Sequence, residues 1–333
     1  MAGRLKRSDC AGAGIQRVRR GRGFGYVDAD GERVDDDEAI ARIAELAIPP
    51  AWKEVWVCPD PLGHIQATGI DDAGRKQYLY HERWQRRAAA RKFESMRDFA
   101  AALPKLRRAA NRDLGREGIP QERALACAVR LLDLGFFRVG GERYAEENES
   151  YGLATLQREH VTIADGEAVF DFPAKSNQRR VQSIRDRKVI AALEAMRRRR
   201  SGPADLLVYK QGGRWHDVRS EDVNAYIQEK VDGEHSAKDF RTWHGTVLAA
   251  VELAVEGPPA TKGGAERRIR AAVKRVAEHL GNTPAVARSA YIDPKLLDCF
   301  RNGHTIELPT DAEPPFGPRV RTRVEREVLE MLY

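Results

Sequence analysis

Arg138, Lys175, Arg241, Asn282 and Tyr291 are the residue types from which a phosphodiester could be cut and resealed by side chains alone. That reaction needs an in-line nucleophile, positive charge on the non-bridging oxygens and a proton for the leaving oxygen. A metal clamped by carboxylates is one way to supply the charge. Asp35-Asp36-Asp37 is consecutive and opens a helix, so it reads as a helix-start charge cluster, and no other carboxylate constellation stands out. Arginine and lysine are the other way, because a guanidinium fork matches two phosphate oxygens. Tyr291 brings a phenol, which ionises at about pH 10 and therefore needs a cationic field to attack at neutral pH. Asn282 can donate a hydrogen bond to phosphate but carries no charge.

Each of these residues has a plainer reading when taken alone. Arg138 is then a surface arginine paired with Glu142 or Glu146, and Lys175 a solvated lysine on a turn with Arg179 and Arg180 close by. Tyr291 is an aromatic packed at a helix end. His244, one helical turn after Arg241, and His279, three residues before Asn282, both read as structural histidines.

The elements around these residues fall into two groups. Residues 1–24 are rich in Arg and Gly and read as a mobile basic arm or an irregular lead-in. A short helix over 35–46 ends at Pro49-Pro50. β-like runs follow at 55–58, 64–68 and 77–80, punctuated by Gly63, Gly69 and Gly74. Residues 81–110 form a basic helical stretch joining two domains. Helical apolar spacing returns at 121–134. Three short strands are expected within 161–184, with Lys175 in or beside the last turn, and helices at about 186–200, 220–231, 239–256, 264–280 and 284–291. The fold class is therefore α+β. The expected domains are a basic arm (1–24), a small β-rich domain (25–88) and a larger, mainly helical domain (89–333) that carries a three-stranded sheet.

Composition narrows the partners. A net charge of +7 over 333 residues and a pI near 9.3 favour a polyanion, most simply nucleic acid. No apolar run is long enough to span a membrane, and Met1-Ala-Gly-Arg-Leu-Lys-Arg has no apolar signal segment. Cys10, Cys58, Cys127 and Cys299 are dispersed, so neither a zinc site nor a disulfide framework is expected, in keeping with a reducing cytoplasm.

The flanks of the five residues carry a resemblance. Phe136-Phe137-Arg138-Val139-Gly140-Gly141-Glu142-Arg143-Tyr144, Phe172-Pro173-Ala174-Lys175, Lys238-Asp239-Phe240-Arg241-Thr242-Trp243-His244-Gly245 and Gly281-Asn282-Thr283-Pro284, followed by Ser289-Ala290-Tyr291, resemble the catalytic segments of poxvirus-like type IB DNA topoisomerases, in the same order. Leu46-Ala47-Ile48-Pro49-Pro50-Ala51-Trp52 and Asp72-Ala73-Gly74-Arg75-Lys76-Gln77-Tyr78-Leu79-Tyr80 resemble the N-terminal domain of the same family. The likeness covers about residues 35–300. One departure is Asn282, where the poxvirus enzymes carry His and bacterial branches carry Asn.

The resemblance implies a C-shaped clamp acting as a monomer on duplex DNA in the bacterial cytoplasm and nucleoid, with no ATP, no cofactor and no obligatory metal. It implies that Tyr291 forms a 3′-phosphotyrosyl bond, that Arg138, Arg241 and Asn282 hold the phosphate, and that Lys175 protonates the 5′ oxygen. It also implies that Arg75, Lys76, Gln77, Tyr78, Tyr80, Tyr144 and Lys238 face DNA, with Gln77 suited to base edges. Alternation puts Tyr78 and Tyr80 on one strand face, where they could equally form an aromatic core face. Two rival functions are a tyrosine site-specific recombinase and a non-catalytic basic DNA-binding protein. The first is disfavoured by the N-terminal likeness and by Lys238, and the second leaves the ordered catalytic set unexplained.

Overall fold

The computed structural model describes residues 3–141, 150–174, 178–309 and 318–333, with the side chains of 318 and 319 also left aside. Lys175 and Tyr144 lie outside the described residues, as do Glu142 and Glu146. The chain divides into two compact units, Met1–Lys92 and Phe93–Tyr333.

The N-terminal unit is built on one antiparallel sheet of five strands: β1 (Ile15–Arg20), β2 (Gly23–Val27), β3 (Lys53–Val57), β4 (Ile65–Ile70) and β5 (Lys76–Tyr80), in the order β2-β1-β3-β4-β5. Ile15, Val55, Val57 and Ala67 are buried in its core with Ile43 of helix α1 (Asp37–Glu45). The acidic run before α1 is its cap: the Asp36 carboxylate accepts from the Glu38 and Ala39 amides.

The strands β1 and β2 correct the basic-arm expectation for residues 1–24. Ile15 is buried opposite Val57, and Gly21, at φ 58°, turns the chain back into β2. The arginines that made this stretch look like a mobile arm are partly consumed by the fold. Arg17 donates to the carbonyls of Ile48, Pro49 and Trp52 and lies over the Phe24 ring.

The helix α2 (Glu82–Asp113) runs across the division between the two units, and its part in the C-terminal unit buries Phe93, Met96, Phe99, Leu103 and Leu106, a helical stripe. It packs in one apolar core with α3 (Gln121–Leu134), α4 (Arg187–Arg197), α5 (Ser220–Lys230), α6 (Ala237–Glu256), α7 (Lys262–Leu280), α8 (Pro284–Tyr291), α9 (Pro294–Arg301) and α10 (Pro318–Leu332). A three-stranded antiparallel sheet, β6 (Val161–Ala164), β7 (Glu167–Ala174) and β8 (Gln178–Ile184), packs on that core. Every second residue of β7, from Ala168 through Phe170 and Phe172 to Ala174, is buried. The hairpin of β9 (Val208–Gln211) and β10 (Arg214–Asp217) and the helix α10 escaped sequence reading. The run Arg197 to Arg200, whose type alone would suggest a solvated helix end, is partly spent inside the fold. Arg199 is buried and donates to the carbonyls of Met196, Pro203 and Asp205.

Candidate active site

Four of the five expected catalytic residues are described, and all four meet where α6, α7 and α8 converge on the segment after α3. Arg138 leaves that segment just after Phe137, whose ring packs on Phe170 and Phe172 of β7. The backbone here is tied down: the Arg138 carbonyl accepts from Leu153 N at 2.8 Å and the Val139 carbonyl from Ala154 N at 2.7 Å. Gly140 and Gly152 touch backbone to backbone, so a Cβ on Gly140 would lie 2.8 Å from the Gly152 Cα. Arg138 is thus presented from a rigid stretch rather than from a loose loop.

Arg241 lies on α6, which begins at Ser236 with a reciprocal cap to Asp239. Its side chain is only 4% exposed. Nη1 donates to the Phe136 carbonyl and Nη2 to the Leu280 carbonyl at 2.8 Å. Its guanidinium carbon is 5.2 Å from the centre of the Tyr291 ring. Burial pushes the Arg241 pKa down to about 10, Arg138 and Arg180 push in the same direction, and Tyr291 opposes them. At neutral pH Arg241 stays charged, and its repulsion from neighbouring cations marks a place suited to an anion.

Asn282 follows the left-handed Gly281 that ends α7. Arg138 Nη2 donates to the Gly281 carbonyl at 2.9 Å and to Asn282 Oδ1 at 2.7 Å. That contact fixes the amide's orientation. Asn282 Nδ2 is buried and has no hydrogen-bond partner among the described residues. A buried donor left in this way is costly unless something arrives to accept from it.

Tyr291 is the last residue of α8, a helix capped by the Thr283 hydroxyl with Pro284 at its first position. Its half-buried side chain is placed by the backbone behind it. Thr246 Oγ1 of α6 lies 3.3 Å from the Tyr291 carbonyl and accepts from Asp293 N at 3.1 Å. Gly245 allows this approach, since a Cβ there would lie 2.6 Å from the Tyr291 carbonyl oxygen. Sequence reading overlooked Gly245 and Thr246 as positioning residues. The run Trp243-His244-Gly245-Thr246 was the available signal, a small pair on a helix face next to the arginine.

Arg180 is a further member that sequence reading treated only as a competing cation. From β8 it donates to the Glu278 and His279 carbonyls at the end of α7. Burial lowers its pKa, and Arg138 adds to the effect. The two histidines have other tasks. His279 Nδ1 bonds the Arg275 carbonyl at 2.9 Å. His244 is buried beside Arg321, and its pKa is lowered by burial and then by Arg321, so it is neutral. Lys238 is exposed in the first turn of α6.

The expected DNA-facing strand is β5, at one edge of the N-terminal sheet. Lys76, Tyr78 and Tyr80 are exposed on one face, and the two tyrosine rings stack 6.1 Å apart. Gln77 is on the opposite face with Leu79, and its amide donates to Asp71 at 2.8 Å. Arg75 pairs with the same carboxylate. Tyr78 and Tyr80 therefore form an open aromatic face, whereas Gln77 and Arg75 are held by Asp71.

Comparison with known proteins finds DNA topoisomerases along most of the chain. The catalytic core of eukaryotic DNA topoisomerase I matches residues 81–298, and the N-terminal domain of bacterial DNA topoisomerase IB matches residues 23–71. The chain is 32% identical over 324 residues to DNA topoisomerase 1B of Acanthamoeba polyphaga mimivirus, covering 95% of this chain and 96% of that protein. It is 20% identical over 287 residues to DNA topoisomerase I of monkeypox virus, covering 82% and 86% of the two chains. With DNA topoisomerase 1 of Schizosaccharomyces pombe it shares 28% identity over 165 residues, 49% of this chain and 19% of that protein.

Proposed function

The chain belongs to the type IB DNA topoisomerases, and we infer that Tyr291 is the nucleophile with which it relaxes supercoiled duplex DNA. The observation that carries this reading is the Arg241 guanidinium set 5.2 Å from the centre of the Tyr291 ring, with Arg138 and Asn282 joined beside it. Tyr291 Oη attacks the phosphorus in line and the bond to the 5′ oxygen breaks. The products are a 3′-phosphotyrosyl bond and a free 5′-hydroxyl. Torsion turns the free end, and the 5′-hydroxyl then attacks back and expels the tyrosine. The bond energy stays in the phosphotyrosine, so the cycle consumes no ATP.

The cationic field of Arg241 favours the phenolate. Arg138 and Arg241 hold the non-bridging oxygens as charge builds on them, and Asn282 Nδ2 supplies a third, neutral donor. Lys175, in the connection between β7 and β8, supplies the proton to the 5′ oxygen. Lys76, Tyr78 and Tyr80 form the DNA face of β5, with Lys238 and Tyr144 adding contacts near the cut strand. The match to a bacterial N-terminal domain supports a bacterial setting, and in this reading the enzyme acts as a monomer on the nucleoid.

The test is relaxation of a supercoiled plasmid in EDTA without ATP. Wild type is expected to relax the plasmid and form a covalent 3′ adduct, while Tyr291→Phe binds DNA and does neither. Relaxation by Tyr291→Phe would end this reading. Lys175→Ala should cleave a substrate with sulfur at the 5′ bridging position far faster than an ordinary one. An equal defect on both would remove Lys175 from the proton-transfer role.

A further inference from the structure

Behind the phosphate-facing arginines lies a second polar cluster that the mechanism does not use. Asp133, in the last turn of α3, is 2% exposed and accepts from three arginines. Arg107 of α2 is at 2.8 Å, Arg321 of α10 at 3.0 Å and Arg130 of α3 at 2.7 Å. Glu325 of α10, also buried, takes Arg107 at 2.6 Å and Arg321 at 3.0 Å. Arg130 reaches on to Asp186. Arginine cannot accept a hydrogen bond. Arg321 Nη2 lies 2.6 Å from His244 Nε2, so Nε2 must be the acceptor, with the ring proton on Nδ1. The Asp133 carboxylate is farther from the same nitrogen, at 3.8 Å, and does not compete for it.

His244 is one turn past Arg241 on α6. Its ring packs edge-on against Phe136, whose carbonyl holds Arg241 Nη1. Asp133 sits just before the segment that delivers Phe136 and Arg138. Arg321 therefore grips both sources of the catalytic guanidiniums at once, α6 through His244 and the end of α3 through Asp133. At the other end of α10, the Tyr333 hydroxyl lies 2.7 Å from Asp293 Oδ2, and Asp293 caps α9 immediately after the Tyr291 turn. Val324 and Val328 bury the apolar side of α10 between these two polar anchors.

We propose that the C-terminal helix α10 is a brace for the active site, and that Arg321 is a positioning residue. Acting through His244 and Asp133, it sets the placement of Arg241 and Arg138 on the phosphate. This rests on the reading of Tyr291, Arg138 and Arg241 given above. Misplacement of such groups by about 1 Å costs a reaction roughly 100-fold, so the expected signature is slow chemistry with intact DNA binding.

The experiment measures single-turnover cleavage at saturating DNA, DNA affinity and melting temperature for Arg321→Met, Arg321→Met with Glu325→Gln, and Val328→Ala. Arg321→Met is expected to cleave about 10- to 100-fold more slowly with unchanged affinity. The double variant restores charge balance in the cluster but leaves His244 without a donor. It is expected to remain slow even where it regains stability. Val328→Ala loosens the same helix without touching the cluster and is expected to melt earlier yet cleave at the wild-type rate below its transition. Wild-type cleavage by folded Arg321→Met, recovery of rate in the double variant, or equal slowing by Val328→Ala would each overturn the brace. Tyr291→Phe serves as the reference. A covalent adduct formed by that variant would overturn the underlying site assignment instead.

Discussion

Two arginine clusters face each other across Phe136, and they are built on opposite rules. In the cluster around Asp133, the guanidiniums of Arg107, Arg130 and Arg321 meet the carboxylates of Asp133, Glu325 and Asp186. Burial alone would raise the Asp133 carboxyl, but Arg321 and Arg107 hold it well below the usual range. In the cluster around Tyr291, Arg180 and Arg241 donate to backbone carbonyls, which orient a guanidinium without neutralising it. Arg138 and Arg180 both disfavour the charge on Arg241. One cluster is complete in the protein alone and holds elements together. In the other, Arg180 and Arg241 meet no carboxylate among the described residues, which leaves their charge for a phosphate.

Breaking the compensated cluster should give the largest effect on stability. Asp133→Ala leaves Arg107 and Arg321 facing each other with one carboxylate fewer. The expected loss is about 3–5 kcal/mol, the range for removing one partner from a buried ion network. Chemical denaturation compared with wild type measures it directly. A loss no larger than that of an exposed pair would mean that water already screens the cluster.

Arg241→Lys leaves the charge and removes the fork. A single ammonium cannot hold the Phe136 and Leu280 carbonyls, the Tyr291 phenol and a phosphate oxygen together. Cleavage should fall by roughly 100- to 1,000-fold, the range for losing one transition-state donor. DNA affinity should barely change, because one contact among many is altered. Single-turnover cleavage on a suicide substrate separates the two quantities. A lysine variant within a few-fold of wild type would show that charge alone suffices there.

Acid should separate the clusters too. His244 is held neutral in the folded protein by burial and by Arg321. Unfolded histidine takes up a proton at about pH 6.5. As pH falls through that value, the unfolded chain binds a proton that the folded chain refuses, so stability drops. The carboxyls of Asp133 and Glu325, both lowered in the folded state, extend the same trend to more acidic pH. Melting temperature is expected to fall as pH is lowered from neutrality. In His244→Gln, whose amide oxygen can still accept from Arg321, the first part of that fall should shrink to the share of His160, whose pKa burial also lowers. A wild-type curve flat down to the carboxylate range would show that His244 already titrates normally.

The two clusters also differ in how far they could be read from sequence. Arg138, Arg241, Asn282 and Tyr291 stand in short runs whose local chemistry is unusual, and the helices that carry Arg241 and Tyr291 and flank Asn282 have clear periodicity and caps. The compensated cluster draws on residues 107, 133, 244, 321 and 325, with no local signature at any of them. Arg321 lies in a helix whose need for a partner is invisible until α2, α3 and α6 are packed. Strands β1 and β2 were lost for a related reason. Their arginines look solvated in sequence, and only the fold shows Arg17 spent on three carbonyls. Gln77 was placed with Tyr78 by motif likeness, whereas strand alternation sends it to the other face, toward Asp71.

The smallest effect, and the sharpest form of the comparison, lies in two adjacent arginines of β8. Arg179 pairs with Asp171 across the hairpin, with the arginine largely in solvent and the carboxylate half-buried. Arg180 turns the other way, onto the carbonyls ending α7, beside Gly281 and within the field of Arg138. If a compensating carboxylate is what separates a structural arginine from a working one, the neighbours should behave differently. Arg179→Ala should leave cleavage and melting unchanged, because an exposed ion pair is well screened. Arg180→Ala should slow cleavage by about tenfold, equal to about 1.4 kcal/mol of transition-state stabilisation. It would remove a cation from the phosphate site and a tie between the sheet and the Asn282 turn. Rising salt should not abolish the difference, since Arg180 is half-buried and poorly screened. Equal behaviour of the two variants would mean that the cationic field around Tyr291 depends on Arg138 and Arg241 alone.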